Sequence, residues 1–425
     1  MTTHFAAYLD DQDLIRMEGG ESVTASLPFT LTSGSKTIEL LPTEEEKTLR
    51  SPLPIDMSQS YTLSNAKGET CLLHYRDIVR QPIFDQLYTY DGEDLGAHYS
   101  KEKTTFAFWA PISQEVELLI NQTAYPMERT EKGVWRLELE GDWEKASYYY
   151  QHQVNGVTHI VHDPYALSSE ANSGASYVID RHKIERPIQR ATTQLDPTEA
   201  IIYELSVRDF SMQKEAGFHH PGTFPALLES PKHGEQTFGF DYLKSLGITH
   251  IQLLPLYDFG SVDETNPTSG YNWGYDPVQY NVPEGSFSTQ ANDPYQRILE
   301  LQRVIDAYHE ADLSLIMDVV YNHVYLSDEF AFERIVPGYF YRYDQNRQRT
   351  NGTFCGNDVA SERAMVRNYI KQSVKQWVQL YGFDGFRFDL MGILDRQTMM
   401  EIQEDLAAIY PNIYLYGEGW KMDTG

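Results

Sequence analysis

Cysteine is nearly absent from the 425 residues: only Cys71 and Cys355 occur. Two thiols cannot form a disulfide framework, and their scarcity fits a reducing compartment. Basic charge is scarce too. Lys and Arg number 34 against 62 Asp and Glu, a formal net charge of −28, so the clustered cations that neutralise nucleic-acid phosphate are missing. The same acidity opposes attachment to anionic membranes. No apolar run approaches the about 18 residues of a membrane span. The opening string M-T-T-H-F-A-A-Y-L-D-D-Q-D puts acids where a secretory signal needs a basic start and an apolar core. The chain therefore reads as cytoplasmic, with neither a nucleic-acid nor a membrane partner. H-E-x-x-H and paired C-x-x-C strings are also lacking, so no metal site is assigned.

What is abundant is aromatic: 30 Tyr, 19 Phe and 6 Trp. Most of these must pack in cores, while a minority can serve as platforms for the apolar faces of sugars. The 41% hydrophobic composition is that of a globular chain, and its length predicts two to three domains at about 150 residues each.

Three zones follow one another. Glu21 to about Val79 alternates short β-rich runs with breaks, and residues 1–85 read as an N-terminal β module. A second series, including T-T-F-A-F-W-A-P, E-V-E-L-L-I and A-S-Y-Y-Y-Q-H-Q-V, predicts a β-sandwich over 86–185. Glu185–Pro197 reads as a linker. From Ala200 the pattern becomes strand, helix, strand, and 186–425 is assigned to a β/α domain. I-I-Y-E-L, T-H-I-Q-L-L-P-L, L-S-L-I-M-D-V-V, F-D-G-F-R-F-D-L and I-Y-L-Y-G-E-G-W are its five strands. Asp293-Pro294 supplies an N-cap and first-turn proline for a helix whose Ile298, Leu301, Ile305 and Tyr308 share a face. With no Gly-rich phosphate loop, a (β/α)8 barrel is favoured over a doubly wound sheet.

Barrel chemistry sits at the C-terminal strand ends. There the third strand carries Asp318 and then His323, the fourth Arg387 and Asp389, and the fifth Glu418. Alternation puts Arg387 and Asp389 on one face of their strand. Asp318 and His323 have opposite parity and converge only if their strand ends near Val320. Two carboxylates on adjacent strand ends suit glycoside hydrolysis, with Arg387 orienting Asp389. Singly, each reads better as an ordinary strand-end polar group, and Arg387–Asp389 as a structural ion pair; together, at successive strand ends of one barrel, they favour the catalytic reading. Asp318, His323 and Glu418 could also make an oxygen-rich mononuclear metal site.

D-V-V-Y-N-H (Asp318–His323), G-F-R-F-D (Gly385–Asp389) and the Glu418 strand resemble, in order and spacing, three signature regions of the α-amylase superfamily of glycoside hydrolases. Y-N-W-G-Y-D-P (Tyr271–Pro277), Y-G-E-G-W and G-N-D-V-A-S-E-R (Gly356–Arg363) are similar to the type I pullulanases within it. The β module after Leu95 resembles the starch- and glycogen-binding sandwich that precedes such catalytic domains. The resemblance implies retaining hydrolysis of α-1,6 branch linkages in pullulan, amylopectin or glycogen dextrins, with an α-glucan as partner. Asp389 would be the nucleophile and Glu418 the general acid/base. Tyr275 would lie beneath the reacting sugar, with Asp318, His323 and Arg387 holding it. Trp273 and Trp420 would be outer platforms.

The family's third carboxylate, following a His on the seventh strand, has no counterpart here. The expectation is therefore N-terminal all-β sandwich modules followed by an incomplete (β/α)8 barrel of strands one to five, truncated and weakly active or inactive alone. The alternatives are a non-catalytic α-glucan-binding fragment and a barrel enzyme of unrelated, metal-dependent chemistry. No cofactor is required. Calcium occurs in the family, but no loop here has an EF-hand-like spacing. Oligomeric state is not legible.

Overall fold

The computed structural model describes residues 5–425 except 21, 193–194 and 423–424. The first four residues of the string read for a secretory signal thus lie outside the described residues. Phe5–Leu9, from the same string, is a strand. It pairs antiparallel with Leu14–Gly19 and parallel with Thr70–Tyr75, which closes seven strands into a small barrel. Closure leaves no free strand edge, and Leu9, Ile15, Leu31, Leu49 and Leu63 fill the interior.

The second module is a sandwich of two antiparallel sheets. Its strand Ser147–Val154 buries Tyr148, Tyr150, His152 and Val154 and turns Tyr149 and Gln151 outward, the period of two expected of a half-buried strand. Phe108 stacks on Tyr150 across the sheets at 4.2 Å.

Five parallel strands follow in sequence order: β1 (Ile202–Leu205), β2 (His250–Leu253), β3 (Ser314–Val319), β4 (Gly385–Phe388) and β5 (Tyr414–Gly417). Helices α1 (Gln296–Glu310), α2 (Ala364–Gln376) and α3 (Arg396–Ile409) connect β2 to β5. Among the described residues β1 and β5 are the sheet edges, and Ile202 and Met400 beside them are exposed. Among the described residues no helix is long and apolar enough to cross a membrane.

Two local expectations are corrected. Asp293 does not cap α1 directly: the helix starts at Gln296, and the Asp293 carboxylate instead accepts from the backbone N–H of Tyr295 and Gln296 at 2.9 Å. A short turn thus intervenes between the proline and the helix. The described part of Glu185–Pro197 is pinned to the β/α domain rather than running as a linker. Arg186 pairs with Asp306 and donates to the Leu380 and Tyr381 carbonyls, and Arg190 pairs with Asp384. Polar composition read as a linker because each of these partners is more than 100 residues away. Gly382, at φ 92°, ends the α2 segment after a five-residue π turn over Trp377–Tyr381.

Candidate active site

Register builds the site. Asp318 on β3 stands opposite Arg387 on β4, which stands opposite Tyr416 on β5. One step on, the strands end, with Asp389 N–H donating to Val319 O and Glu418 N–H to Phe388 O. Phe386 and Phe388 are buried on the opposite face, so the hydrophobic effect points Arg387 and Asp389 inward.

One guanidinium organises three carboxylates. Arg387 Nη1 donates to Asp318 Oδ1 at 2.8 Å and to Asp389 Oδ1 at 3.0 Å, and Nη2 lies 2.5 Å from Glu418 Oε1. Burial works against the Arg387 charge, but Asp318, Asp389 and Glu418 outweigh it and raise its pKa. Asp318 is buried and its carboxyl is pushed up to about 7, because desolvation exceeds the opposing effects of Arg387 and of the Tyr275 hydroxyl. That hydroxyl donates to Asp318 Oδ2 at 2.7 Å.

β3 ends at Val319, and the chain turn this allows brings His323 to the same site. Its Nε2 donates to the Tyr275 carbonyl at 2.7 Å, and its Nδ1 lies 2.6 Å from Asn322 Oδ1. Asn322 is oriented by donating from Nδ2 to Asp389 O at 2.7 Å and to Oδ2 at 3.0 Å. Both imidazole nitrogens therefore face acceptors, a geometry that favours the doubly protonated ring, while burial lowers the His323 pKa. Leu390 adopts a left-handed backbone, φ 41°, and its N–H donates to Glu418 Oε2 at 3.1 Å. A bulky side chain in that region stores strain, here beside two of the site's carboxylates.

The expected residues thus sort into two groups. Asp318, His323, Arg387, Asp389, Glu418 and Tyr275 form one connected network. Trp273 and Trp420 stand apart, 59% and 64% exposed, and the Trp273 indole N–H donates to Tyr271 OH. Asn322 went unassigned although it lies inside the D-V-V-Y-N-H string, because an amide carries no charge signal. Cys355 is exposed, and desolvation, followed by the Asp389 charge, pushes its thiol pKa up.

The sequence offered no hint of a second cluster. Asp258, Glu264 and Glu284 are buried and bring one carboxylate oxygen each within 4.8 Å of one another. Burial and mutual repulsion push the Asp258 and Glu284 carboxyls well up. Arg297 is the only guanidinium paired with them among the described residues, 3.3 Å from Glu264 Oε2. Asp258 Oδ1 and Glu264 Oε1 have no hydrogen-bond partner there. The three residues are spread over 27 positions, so no local spacing marks them.

Two family models match the sequence. Residues 94–166 match carbohydrate-binding module 48, the isoamylase N-terminal domain, and 237–350 match the α-amylase catalytic domain. The Bacillus subtilis pullulanase is 35% identical over 440 aligned positions, covering 99% of this chain and 60% of the relative. Chloroplastic pullulanase 1 of Arabidopsis thaliana is 31% identical over 80% of this chain and 41% of its own length. The crystal structure of the pullulanase from Anoxybacillus sp. LM18-11 complexed with maltotriose superposes with a TM-score of 0.93 at 39% identity, over 99% of this chain and 63% of that one. The chain thus spans less than two thirds of each of these relatives' own length. Two matching modules in order, and likeness to pullulanases over nearly all of its residues, place this chain in the pullulanase-type branch of the α-amylase family.

Proposed function

We propose that the chain takes part in retaining hydrolysis of α-1,6 branch linkages in α-glucans. The observation that carries this reading is the single Arg387 guanidinium joining three carboxylates at successive strand ends. Asp389, held by Arg387 and Asn322, attacks the anomeric carbon. Glu418 protonates the departing glycosidic oxygen, then takes a proton from the water that hydrolyses the glycosyl–Asp389 ester. That role requires Glu418 to leave Arg387 Nη2 when substrate enters. Asp318 and His323 hold the hydroxyls of the reacting sugar, Tyr275 lies beneath it, and Trp273 and Trp420 offer exposed rings to sugars further out. Action in the cytoplasm belongs to the same proposal; the two thiols, in separate modules and unpaired, are consistent with it.

The test is maltotriose release from pullulan by the purified chain. Release supports the reading. A folded chain that retains pullulan on a gel and releases nothing leaves it a glucan-binding protein.

No cofactor enters these steps. Asp258, Glu264 and Glu284 offer the hard oxygen donors that calcium takes, and their two orphaned oxygens fit such an ion. Bound there, it would neutralise charge and fix the loop holding Asn172 and Ser173, which hydrogen-bond to Glu264 and Asp258. The expected result is a melting temperature raised by ~2 °C or more in millimolar calcium. The ion competes with protons on raised carboxyls, so the rise should be larger at about pH 8 than at about pH 6. A melting temperature indifferent to both calcium and chelator at both pH values would remove the ion from the proposal.

A further inference from the structure

Beyond Val319 the chain leaves the sheet, yet five residues later Val324 is buried. A buried peptide group outside a strand needs partners of its own, and both of Val324's come from one side chain. Its N–H donates to Asn357 Oδ1 at 2.9 Å, and its carbonyl accepts from Asn357 Nδ2 at 2.8 Å. A primary amide offers an acceptor and a donor side by side, the match for a residue whose backbone must give and accept at once.

The loop that delivers Asn357 is itself fixed. Asp358 beside it accepts from the N–H groups of Gly352 and Thr353 at 2.8 and 2.9 Å, and from the Thr350 hydroxyl at 2.6 Å. The Asn357 carbonyl accepts from Thr353 Oγ1 at 2.7 Å. Two residues on, Val359 N–H donates to Asn322 O at 2.9 Å. The G-N-D-V-A-S-E-R string therefore holds the turn on both sides of His323: at Asn322 through its backbone, and at Val324 through the Asn357 side chain.

That turn decides where the groups of the site stand. His323 spans the Tyr275 carbonyl and Asn322 Oδ1, and Asn322 in turn holds Asp389. A displacement of about 1 Å loses bonds of this length and misplaces a reacting group. Resting on the debranching reading above, we propose that Asn357 is a positioning residue for the reaction: by bracketing Val324 it fixes the imidazole of His323 against the site. Asn357 is buried and acts through this neighbour rather than on the sugar.

The test compares Asn357→Ala and Asn357→Asp with the native 425-residue chain, by NMR titration of the His323 ring and by kinetics on pullulan. Among 13 histidines, the resonance missing from His323→Gln identifies the ring. In the alanine variant its titration should move up toward the ordinary histidine value, because burial, which outweighs the Tyr275 carbonyl in lowering it, weakens as the turn opens. There kcat should fall by about tenfold, with KM changed by less than about twofold. Placed in His323→Ala, the same substitution should cost less than about twofold, since its route is already cut. The aspartate variant is the conservative partner. A protonated carboxyl can make both contacts with Val324, whereas an ionised one sets charge against the Val324 carbonyl. Its kcat should therefore be near native at low pH and fall toward the alanine level as pH rises, a limb the native profile lacks.

An unmoved His323 titration in the alanine variant overturns the proposal, as do equal losses in the native and His323→Ala backgrounds. A native pH profile in the aspartate variant also overturns it. If no form of the chain releases maltotriose, the debranching reading fails, and the titration alone then decides whether Asn357 holds His323.

Discussion

Cutting Asp389 back to alanine is expected to lower pullulan hydrolysis by at least about 10³-fold, and added azide to restore part of it. The carboxylate is held at both oxygens, Oδ1 by Arg387 and Oδ2 by Asn322, so it is presented rather than free to rotate. Removing a nucleophile empties the space from which the anomeric carbon is attacked. A small anion can then enter and form a glycosyl azide of inverted configuration. A residue that merely positioned another group would not be replaced by a diffusing nucleophile, so azide separates the two roles. Alanine is the better test than asparagine. An amide offers one acceptor and one donor where the native side chain accepts twice, and it would set an N–H against Arg387 or Asn322. Alanine leaves Arg387 paired with Asp318 and Glu418, and Asn322 still donates to the Asp389 backbone carbonyl. The fold should therefore lose only about 1–2 kcal/mol, read as a small fall in melting temperature. Loss of activity without azide rescue would assign Asp389 a positioning role and take the double displacement with it.

The site was legible where it is linear. Asp318, Arg387, Asp389 and Glu418 were identifiable because period-two alternation and strand ends fix their placement before any long-range contact is known. The turn that lets His323 join Asp318 was inferred from parity, and the strand does stop at Val319. What escaped depends on contacts between distant residues. Asn322 is recognisable only once the Asp389 carboxylate is seen beside it. The Asp258, Glu264 and Glu284 cluster forms only when the loops after β2 fold over one another. The strands Phe5–Leu9 and Leu14–Gly19 precede the first Pro- and Ser-bounded run, and their burial comes from barrel closure with Thr70–Tyr75 rather than from a strong local pattern. The misread linker is of the same kind: Arg186 and Arg190 look solvated until Asp306 and Asp384 are placed against them.

Asp318→Asn should lower activity by about 10²-fold or more, yet raise stability relative to the native chain as pH rises. Burial lifts the Asp318 carboxyl from 3.8 to about 7. Below about pH 4 it is protonated in both folded and unfolded chains and contributes no difference. Between there and about pH 7 the unfolded chain ionises while the folded one keeps its proton, so folding loses stability with each unit of pH. The full difference is roughly 4 kcal/mol at 1.36 kcal/mol per unit, an upper bound because Arg387 loses a charged partner in the variant. Asparagine is neutral throughout and escapes the penalty. Its carbonyl oxygen can still accept from Arg387 Nη1, and its amide can donate to a Tyr275 hydroxyl turned to accept. Melting curves of both proteins at about pH 4.5 and about pH 8 give the measurement as a difference of differences. The variant's advantage should be larger at the higher pH. An advantage independent of pH would mean that Asp318 is ionised at its ordinary value, stabilised by Arg387 more than burial opposes it. A buried acid that destabilises the empty site at neutral pH belongs where positive charge develops on the sugar in the transition state, since there its negative charge becomes an asset.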